Sequence, residues 1–365
     1  MNRILILSPS ITEGDAVSND AIGMRDVLIE NGYIVDIYAE TWDNSFVYIR
    51  PINALQKSLP SRNSILIFHH STGWDRGLRI LKQIACKKII RYHNITPSNF
   101  FQGINSEYEA SCRIGREQNN EIINIKCDIY MTCSKFSAQE LINAGVKKEI
   151  VCVCPPFHHI DRLQDIEASQ DIIDRYQDDQ INILMVGRIA PNKNHAFLID
   201  IFNLYKKVFN SKSRLFIVGR YDPRLSAYNN YILNKVRNYD LDDNVIFTGG
   251  ISEEALKAYY KISHLFLTVS YHEGFCVPLV ESMYMKKPIV ALGSSAIPET
   301  LGRAGVVWDK EDVDLFATSL DVILRDLNYT RGLGLLGYER YKAKFDKKII
   351  KDDFIKIINT CLKDN

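Results

Sequence analysis

The sequence predicts an α/β protein built as two doubly wound domains, and three observations carry that reading. Short apolar strands alternate with helix-patterned stretches through all 365 residues. The strands fall into two sets of six. A polar stretch from His159 to Gln180, rich in Asp and Gln, divides the sets and reads as a linker. Strands that alternate with helices form parallel sheets covered on both faces. Such sheets bind ligands at the carboxyl ends of their strands, so two facing domains would share a ligand there.

In the first set, strands are expected near 3–7, 34–39, 64–69, 88–92, 128–133 and 150–154. In the second they are expected near 181–186, 214–218, 244–248, 264–269, 288–292 and 305–308. Domains of 1–160 and 161–346 follow, with a last helix near 347–362.

Composition narrows the class. Hydrophobic residues make up 46% and charged residues 24%, as in a globular protein with full cores. A formal net charge of +1 gives no general affinity for nucleic acid. The eight cysteines, at 86, 112, 127, 133, 152, 154, 276 and 361, form no Cys-x-x-Cys pair. They read as buried reduced thiols rather than a zinc site or a disulfide framework. The apolar run Ile4 to Leu7 is strand-sized rather than a signal peptide, and no run approaches a membrane span. A cytoplasmic protein is expected.

The densest chemistry lies in residues 270–281, Ser-Tyr-His-Glu-Gly-Phe-Cys-Val-Pro-Leu-Val-Glu. An apolar strand precedes it, and Pro278 suits the start of a helix, where a missing N–H leaves nothing unsatisfied. The backbone N–H groups of Gly274, Phe275, Cys276 and Val277 then sit at a positive helix end that favours an anion. Glu273 in the loop and Glu281 in the first helical turn can accept hydrogen bonds from hydroxyls. A ligand with both phosphate and hydroxyls fits, and a nucleotide-sugar is the obvious one. In that reading Glu281 holds ribose hydroxyls and Glu273 holds the sugar. A carboxylate that merely complements the helix dipole is the alternative for Glu281.

Other strand ends add to this. Gly187, Arg188 and Lys193 follow the strand at 181–186, and two cations there would neutralise charge on a departing diphosphate. They make a divalent metal unnecessary, so no cofactor and no metal ligand is expected. Asp240-Leu241-Asp242 precedes a strand, at the wrong sheet end, and Asp312-Val313-Asp314 reads as a helix start. Gly14 and Asp15 follow the first strand. Gly14 permits close backbone approach, and Asp15 is either an acceptor contact or a helix N-cap. His69 and His70 end one strand, His93 and Asn94 the next. His93 is a candidate contact to ligand, while His69 and His70 could line the acceptor side or serve structure. Arg79, Lys82, Lys87, Lys88 and Arg91, interleaved with Leu78, Ile80, Leu81 and Ile84, suggest a basic amphipathic helix. It would either touch an anionic membrane face or cover the sheet.

The segment from Glu273 to Glu281 resembles the E-x7-E signature of retaining glycosyltransferases of family 4, which have the GT-B fold of two Rossmann-like domains. Gly187 to Asn194 is similar to that family's Gly-Arg-x4-Lys element. Ala296-Ile297-Pro298-Glu299-Thr300 with Gly302 to Gly305 resembles its Pro-Glu-x-x-Gly stretch. Tyr92-His93-Asn94-Ile95-Thr96-Pro97 and Gly14-Asp15-Ala16 resemble its acceptor-side histidine loop and N-terminal glycine loop. The resemblance implies catalytic roles for Arg188, Lys193, Glu273 and His93, the last as a hydrogen bond to the donor sugar. It implies a terminal helix packed back on the first domain and a front-side mechanism that retains configuration. It also implies membership of the bacterial surface-polysaccharide type, acting in O-antigen, capsule or lipopolysaccharide assembly. Two departures stand out: Cys276 replaces a common Gly, and Gly219-Arg220-Tyr221-Asp222 lacks a second Gly.

The expectation is a hexosyltransferase moving a sugar, with GDP-mannose as the favoured donor, onto a glycan or lipid-linked acceptor. A nucleotide-sugar epimerase or hydrolase, and a catalytically silent binding domain, are the alternatives on the same fold. The missing Gly-x-Gly-x-x-Gly disfavours a nicotinamide oxidoreductase.

Overall fold

The computed structural model describes residues 3–57, 61 and 63–363, the side chains of residues 56, 57 and 363 excepted. The chain divides into two compact units. One holds Met1–Asn99, Glu107–His159 and Asp346–Asn365; the other holds Phe100–Ser106 and Ile160–Phe345. The Phe100–Ser106 excursion has no counterpart in the sequence reading. Ile104 packs against the apolar core of the second unit, and Asn105 donates to the Arg224 carbonyl at 2.9 Å.

The first unit is built on β1 (Arg3–Ile11), β2 (Ile34–Trp42), β3 (Arg50–Pro51), β4 (Ile65–His70), β5 (Lys87–Tyr92), β6 (Ile129–Thr132) and β7 (Val151–Val153). They form one parallel sheet in the order β3-β2-β1-β4-β5-β6-β7. All of β4 is buried, because helices cover both faces of its sheet. β3 was not expected. It is two residues long, and Pro51, with no N–H to donate, fits only a sheet edge.

The second unit carries β8 (Ile181–Val186), β9 (Ser213–Val218), β10 (Val245–Gly249), β11 (Leu265–Thr268), β12 (Ile289–Leu292) and β13 (Val306–Trp308). These form a parallel sheet in the order β10-β9-β8-β11-β12-β13. The stretch read as a linker contains two short helices, Ile160–Asp165 and Gln170–Tyr176. Tyr176 packs edge-on against Phe216 of β9 at 4.9 Å. The helix before β11, Glu253–Ile262, is capped by Ser252, whose hydroxyl accepts from Ala255 N, and has two acids in its first turn. At its far end Lys287 Nζ donates to Lys261 O at 3.0 Å and Ser263 O at 2.6 Å.

The last helix, Lys347–Lys363, belongs to the first unit. Ile350, Phe354, Ile358 and Cys361 recur at helical spacing and join the core around β1 and β4. Phe354 meets Phe157 edge-on at 5.5 Å.

Beneath the same face lies a buried ion pair. Asp20 sits just past the first turn of the Ala16–Glu30 helix, and Arg91 is the last residue but one of β5, in register with His69 of β4. Arg91 Nε donates to Asp20 Oδ2 at 2.6 Å, with both side chains 0% exposed. Phe157 N donates to the other carboxylate oxygen at 2.8 Å, and Arg91 Nη1 to Cys154 O at 2.8 Å. Burial pushes the Asp20 carboxyl up, against the pull of Arg91. The pair thus locks a helix, a strand and the 154–157 turn together. Asp20→Ala would leave a buried guanidinium unpaired, a loss of about 3–5 kcal/mol in urea unfolding. Replacing both partners together, Asp20→Leu with Arg91→Met, should recover most of that loss. A single-mutant loss under about 1 kcal/mol would show that water reaches the guanidinium.

Candidate active site

In the second unit the strand order reverses between β8 and β11, and ligands of open parallel sheets bind at such a switch point. The loops that leave these strands are joined. Tyr271 N donates to Asn192 O at 2.9 Å, and Asn192 Nδ2 to His272 O at 3.3 Å. Lys193 Nζ donates to Glu273 Oε1 at 2.5 Å, with side chains 17% and 10% exposed. The sequence reading assigned these two residues to separate parts of a ligand; the structure pairs them with each other. Arg188 lies on the same loop, exposed.

The segment after β12 buttresses the Glu273 loop, a task the sequence did not reveal. Ser295 Oγ accepts from Glu273 N at 2.7 Å, Ser294 Oγ donates to Ser270 O, and Thr300 Oγ1 donates to Phe275 O at 2.8 Å. The N–H groups of Gly274, Phe275 and Cys276 have no partner among the described residues. They lead into the Val277–Tyr284 helix, in which Pro278 takes the second position. The ring of Phe275 is buried edge-on against Phe345 at 5.5 Å, so its backbone is what faces the loop. Cys276 has φ +73° and ψ 74°, a left-handed conformation that costs a non-glycine residue about 1–2 kcal/mol. Burial, with Glu273 nearby, pushes its thiol well up, so it is no thiolate nucleophile.

Glu281 departs from the expectation. It is the fifth residue of its helix, whose first turn holds no acid, so the helix dipole does not account for it. Its partner is Tyr260, a fully buried residue of the Glu253–Ile262 helix, whose hydroxyl donates to Glu281 Oε2 at 2.7 Å. Burial pushes the Glu281 carboxyl up to about 7; Tyr260 works against the rise and Glu253 adds to it.

The loop after β9 runs beside the loop after β8. Gly187 N donates to Val218 O at 2.9 Å and Ile189 N to Arg220 O at 3.0 Å. A Cβ on Gly219 would stand 2.0 Å from the Gly187 carbonyl oxygen, so only glycine fits there. The missing second glycine of this stretch is Arg220, whose side chain lies over Gly250 instead.

In the first unit the strand order reverses between β1 and β4. His69 Nδ1 and His93 Nε2 are 2.9 Å apart and the rings stack, with His93 Nε2 3.7 Å from Asp20 Oδ2. Burial lowers His69 to about 3 and His93 well below its usual range, helped by the Arg91 charge, so both are neutral at pH 7. His69 and His70 are each 1% exposed. The sequence left an acceptor contact and a structural role open for both; in the structure His69 pairs with His93, and His70 Nε2 lies 2.8 Å from Asn119 Oδ1 and 3.1 Å from Gly115 O. Asn94 is left-handed at φ 63° and donates to Ser137 Oγ at 3.2 Å. Gly14 is exposed at φ +73°, and Asp15 is the N-cap of the following helix, accepting from Ser18 N at 2.9 Å.

Asp20, His69 and His93 bring potential ligand atoms within 4.8 Å of one another. Hydrogen bonds already take both Asp20 oxygens and the facing ring nitrogens, and a cation would sit beside the buried Arg91 guanidinium. The cluster fits an ion-pair network better than a metal. Asp312 caps its helix through Leu315 N at 2.9 Å, and Asp240 lies ahead of β10. The expected basic helix is shorter than its charge pattern. It ends at Gln83 and buries Leu78 and Leu81; Lys87, Lys88 and Arg91 lie on β5. Lys82 pairs with Glu121 at 2.5 Å. Among the described residues no helix is long and apolar enough to cross a membrane.

The raised Glu281 carboxyl has a definite linkage sign. A carboxyl raised from 4.5 to about 7 stabilises the fold when protonated, and that contribution fades as pH climbs through this window. Glu281→Gln, neutral at every pH, should therefore raise the melting temperature at pH 8 and change it little at pH 4.5. Equal shifts at both pH values would refute a buried, proton-linked carboxylate.

Residues 168–334 match the family described as Glycosyl transferases group 1. Mannosylfructose-phosphate synthase of Agrobacterium fabrum is 26% identical over 210 residues, 55% of this chain and 46% of that protein. O-antigen chain mannosyltransferase B of Escherichia coli is 27% identical over 147 residues, 39% of this chain and 36% of that protein. The alignments thus span less than half of these relatives. The solved structure of Anabaena Alr3699/HepE in complex with UDP-glucose has a TM-score of 0.78 at 16% identity, covering 98% of this chain and 99% of that one. The fold is that of the GT-B glycosyltransferases, with two parallel-sheet α/β domains. The group 1 match, lying over the loops just described, together with this fold supports a glycosyltransferase.

Proposed function

We propose that the chain is a retaining hexosyltransferase that moves a sugar from a nucleoside-diphosphate sugar onto a glycan or lipid-linked acceptor. The observation that carries this reading is the Lys193–Glu273 pair at the β8/β11 switch point, beside the open N–H groups of Gly274, Phe275 and Cys276. A diphosphate bound at those N–H groups would draw Lys193 away from Glu273. The cation would then meet the charge that grows on the leaving phosphate as the glycosidic bond breaks, with Arg188 adding a second. Glu273, released, would oppose positive charge at the anomeric carbon and hold sugar hydroxyls. Glu281 would accept from ribose hydroxyls, and neutral His93 would hydrogen-bond the sugar.

Retention follows if the acceptor attacks from the face the diphosphate leaves, giving its proton to a leaving phosphate oxygen. No divalent metal is required, because fixed cations do the electrostatic work. GDP-mannose is the favoured donor, since mannosyl transfer recurs in the names of its relatives. O-antigen, capsule or lipopolysaccharide assembly at the cytoplasmic membrane face is the favoured setting, supported by the O-antigen relative.

Arg188→Ala and Lys193→Ala should each lower turnover by about 10²–10³, the scale of losing one preorganised transition-state donor. Glu273→Gln should cut transfer too, yet it frees Lys193, so nucleoside-diphosphate affinity by calorimetry should hold or tighten. Wild-type turnover in both cation mutants would sink the assignment. Full activity in EDTA is expected; loss that manganese or magnesium restores would overturn the metal-free reading.

A further inference from the structure

Glu281 is held in an unusual way for a structural carboxylate. An ionised carboxylate can accept about four hydrogen bonds. Among the described residues its side chain receives one, from Tyr260 to Oε2, and no cation pairs with it. Tyr260 is fully buried and needs a partner for its hydroxyl. The Pro278 carbonyl, a neutral acceptor that would have sufficed, lies 3.4 Å away, while Glu281 is taken at 2.7 Å. The Tyr260 ring is itself fixed against Phe266 of β11, with centroids 6.4 Å apart. Oε1 keeps its acceptor capacity on a partly exposed side chain, one helical turn from the open N–H groups that end the Glu273 loop.

We propose that Tyr260 is a positioning residue for the nucleotide: by holding Glu281 Oε2 it presents Oε1 to the paired ribose hydroxyls of a nucleoside-diphosphate sugar. The proposal rests on the donor-site reading above. It also gives donor binding a pH dependence, because a charged acceptor binds hydroxyls more strongly than a protonated one. The titratable groups that face Glu281 are Tyr260 and Glu253 on the helix before β11 and Cys276 in the loop. Tyr260 favours the charged form and Glu253 opposes it.

The test is calorimetry from pH 5.5 to 8.5 with whichever of GDP-mannose and UDP-glucose the unmodified chain binds more tightly. Both diphosphates are esterified at each end and do not titrate in that range. Affinity of the unmodified chain should fall as pH drops through about 7. Tyr260→Phe, with an unchanged melting temperature, should bind about tenfold more weakly at pH 7 and move the acid limb to higher pH. Glu281→Gln should abolish the limb, and adding Tyr260→Phe to it should change nothing further, the sign of coupled residues. If Glu281→Gln binds like the unmodified chain, the donor-site reading itself fails. If it binds weakly while Tyr260→Phe keeps both affinity and limb, the positioning role falls and the site stands. Equal weakening by Tyr260→Phe with and without Glu281→Gln would make Tyr260 structural and overturn the proposal.

Discussion

Coverage of a parallel sheet on both faces is the constraint from which the rest of this molecule follows. Helices seal β4, β9, β11 and β12 so completely that every residue of those strands is buried. A polar group buried in such a sheet must find its partner in place, as Arg91 Nε of β5 does in Asp20. Chemistry with an external ligand is left to the strand ends. Two loops then converge only where the strand order reverses, between β1 and β4 and between β8 and β11. The first switch point gathers neutral imidazoles, the second a cation, two carboxylates and free N–H groups.

The second switch point also concentrates conformations and charges that stability alone would not select. Cys276 and Ser295 are both left-handed without being glycine. Glu281 is only partly exposed and pairs with no cation among the described residues, and Lys193 and Glu273 are held together with little solvent. Each is unfavourable by itself, and each is fixed by a neighbour outside the loop, such as Tyr260, Ser295 or Thr300. Strain kept in place by its surroundings is a mark of sites selected for binding rather than for stability.

Most of the architecture was legible in the sequence because two-faced burial writes strands as unbroken apolar runs. The expected strands reappear within a few residues, and β3 was missed because two residues carry no periodicity. The site was legible where loops follow strands, at Gly187 to Lys193 and at Glu273 to Cys276. Tyr260, Ser295 and Thr300 were not, since a helix or turn residue that supports a loop through one hydrogen bond leaves no pattern. Glu281 was found but placed one residue too early, inside the first turn, because Pro278 reads as the first helical residue and is the second. The basic stretch misled for a related reason. Charge interleaved with apolar residues reads as a helix surface, yet Arg91 is an interior strand residue whose partner, Asp20, lies far away in sequence.

The two carboxylates of the second switch point differ in what can displace their partners, and this sets their roles in the proposed reaction. Lys193 is held by a single negative charge. At about 4 Å and an effective dielectric near 20, each unit charge contributes roughly 4 kcal/mol, so a diphosphate bearing two charges outcompetes one carboxylate. Binding would exchange the partner of Lys193 rather than expose a bare cation, and Glu273 would become charged and unpaired only once the donor is in place. Tyr260 faces no such competitor, since it is neutral and fully buried and offers an anion no charge to pair with. One pair is built to open and the other to stay closed, and the order in which charge appears around the ligand follows from that difference.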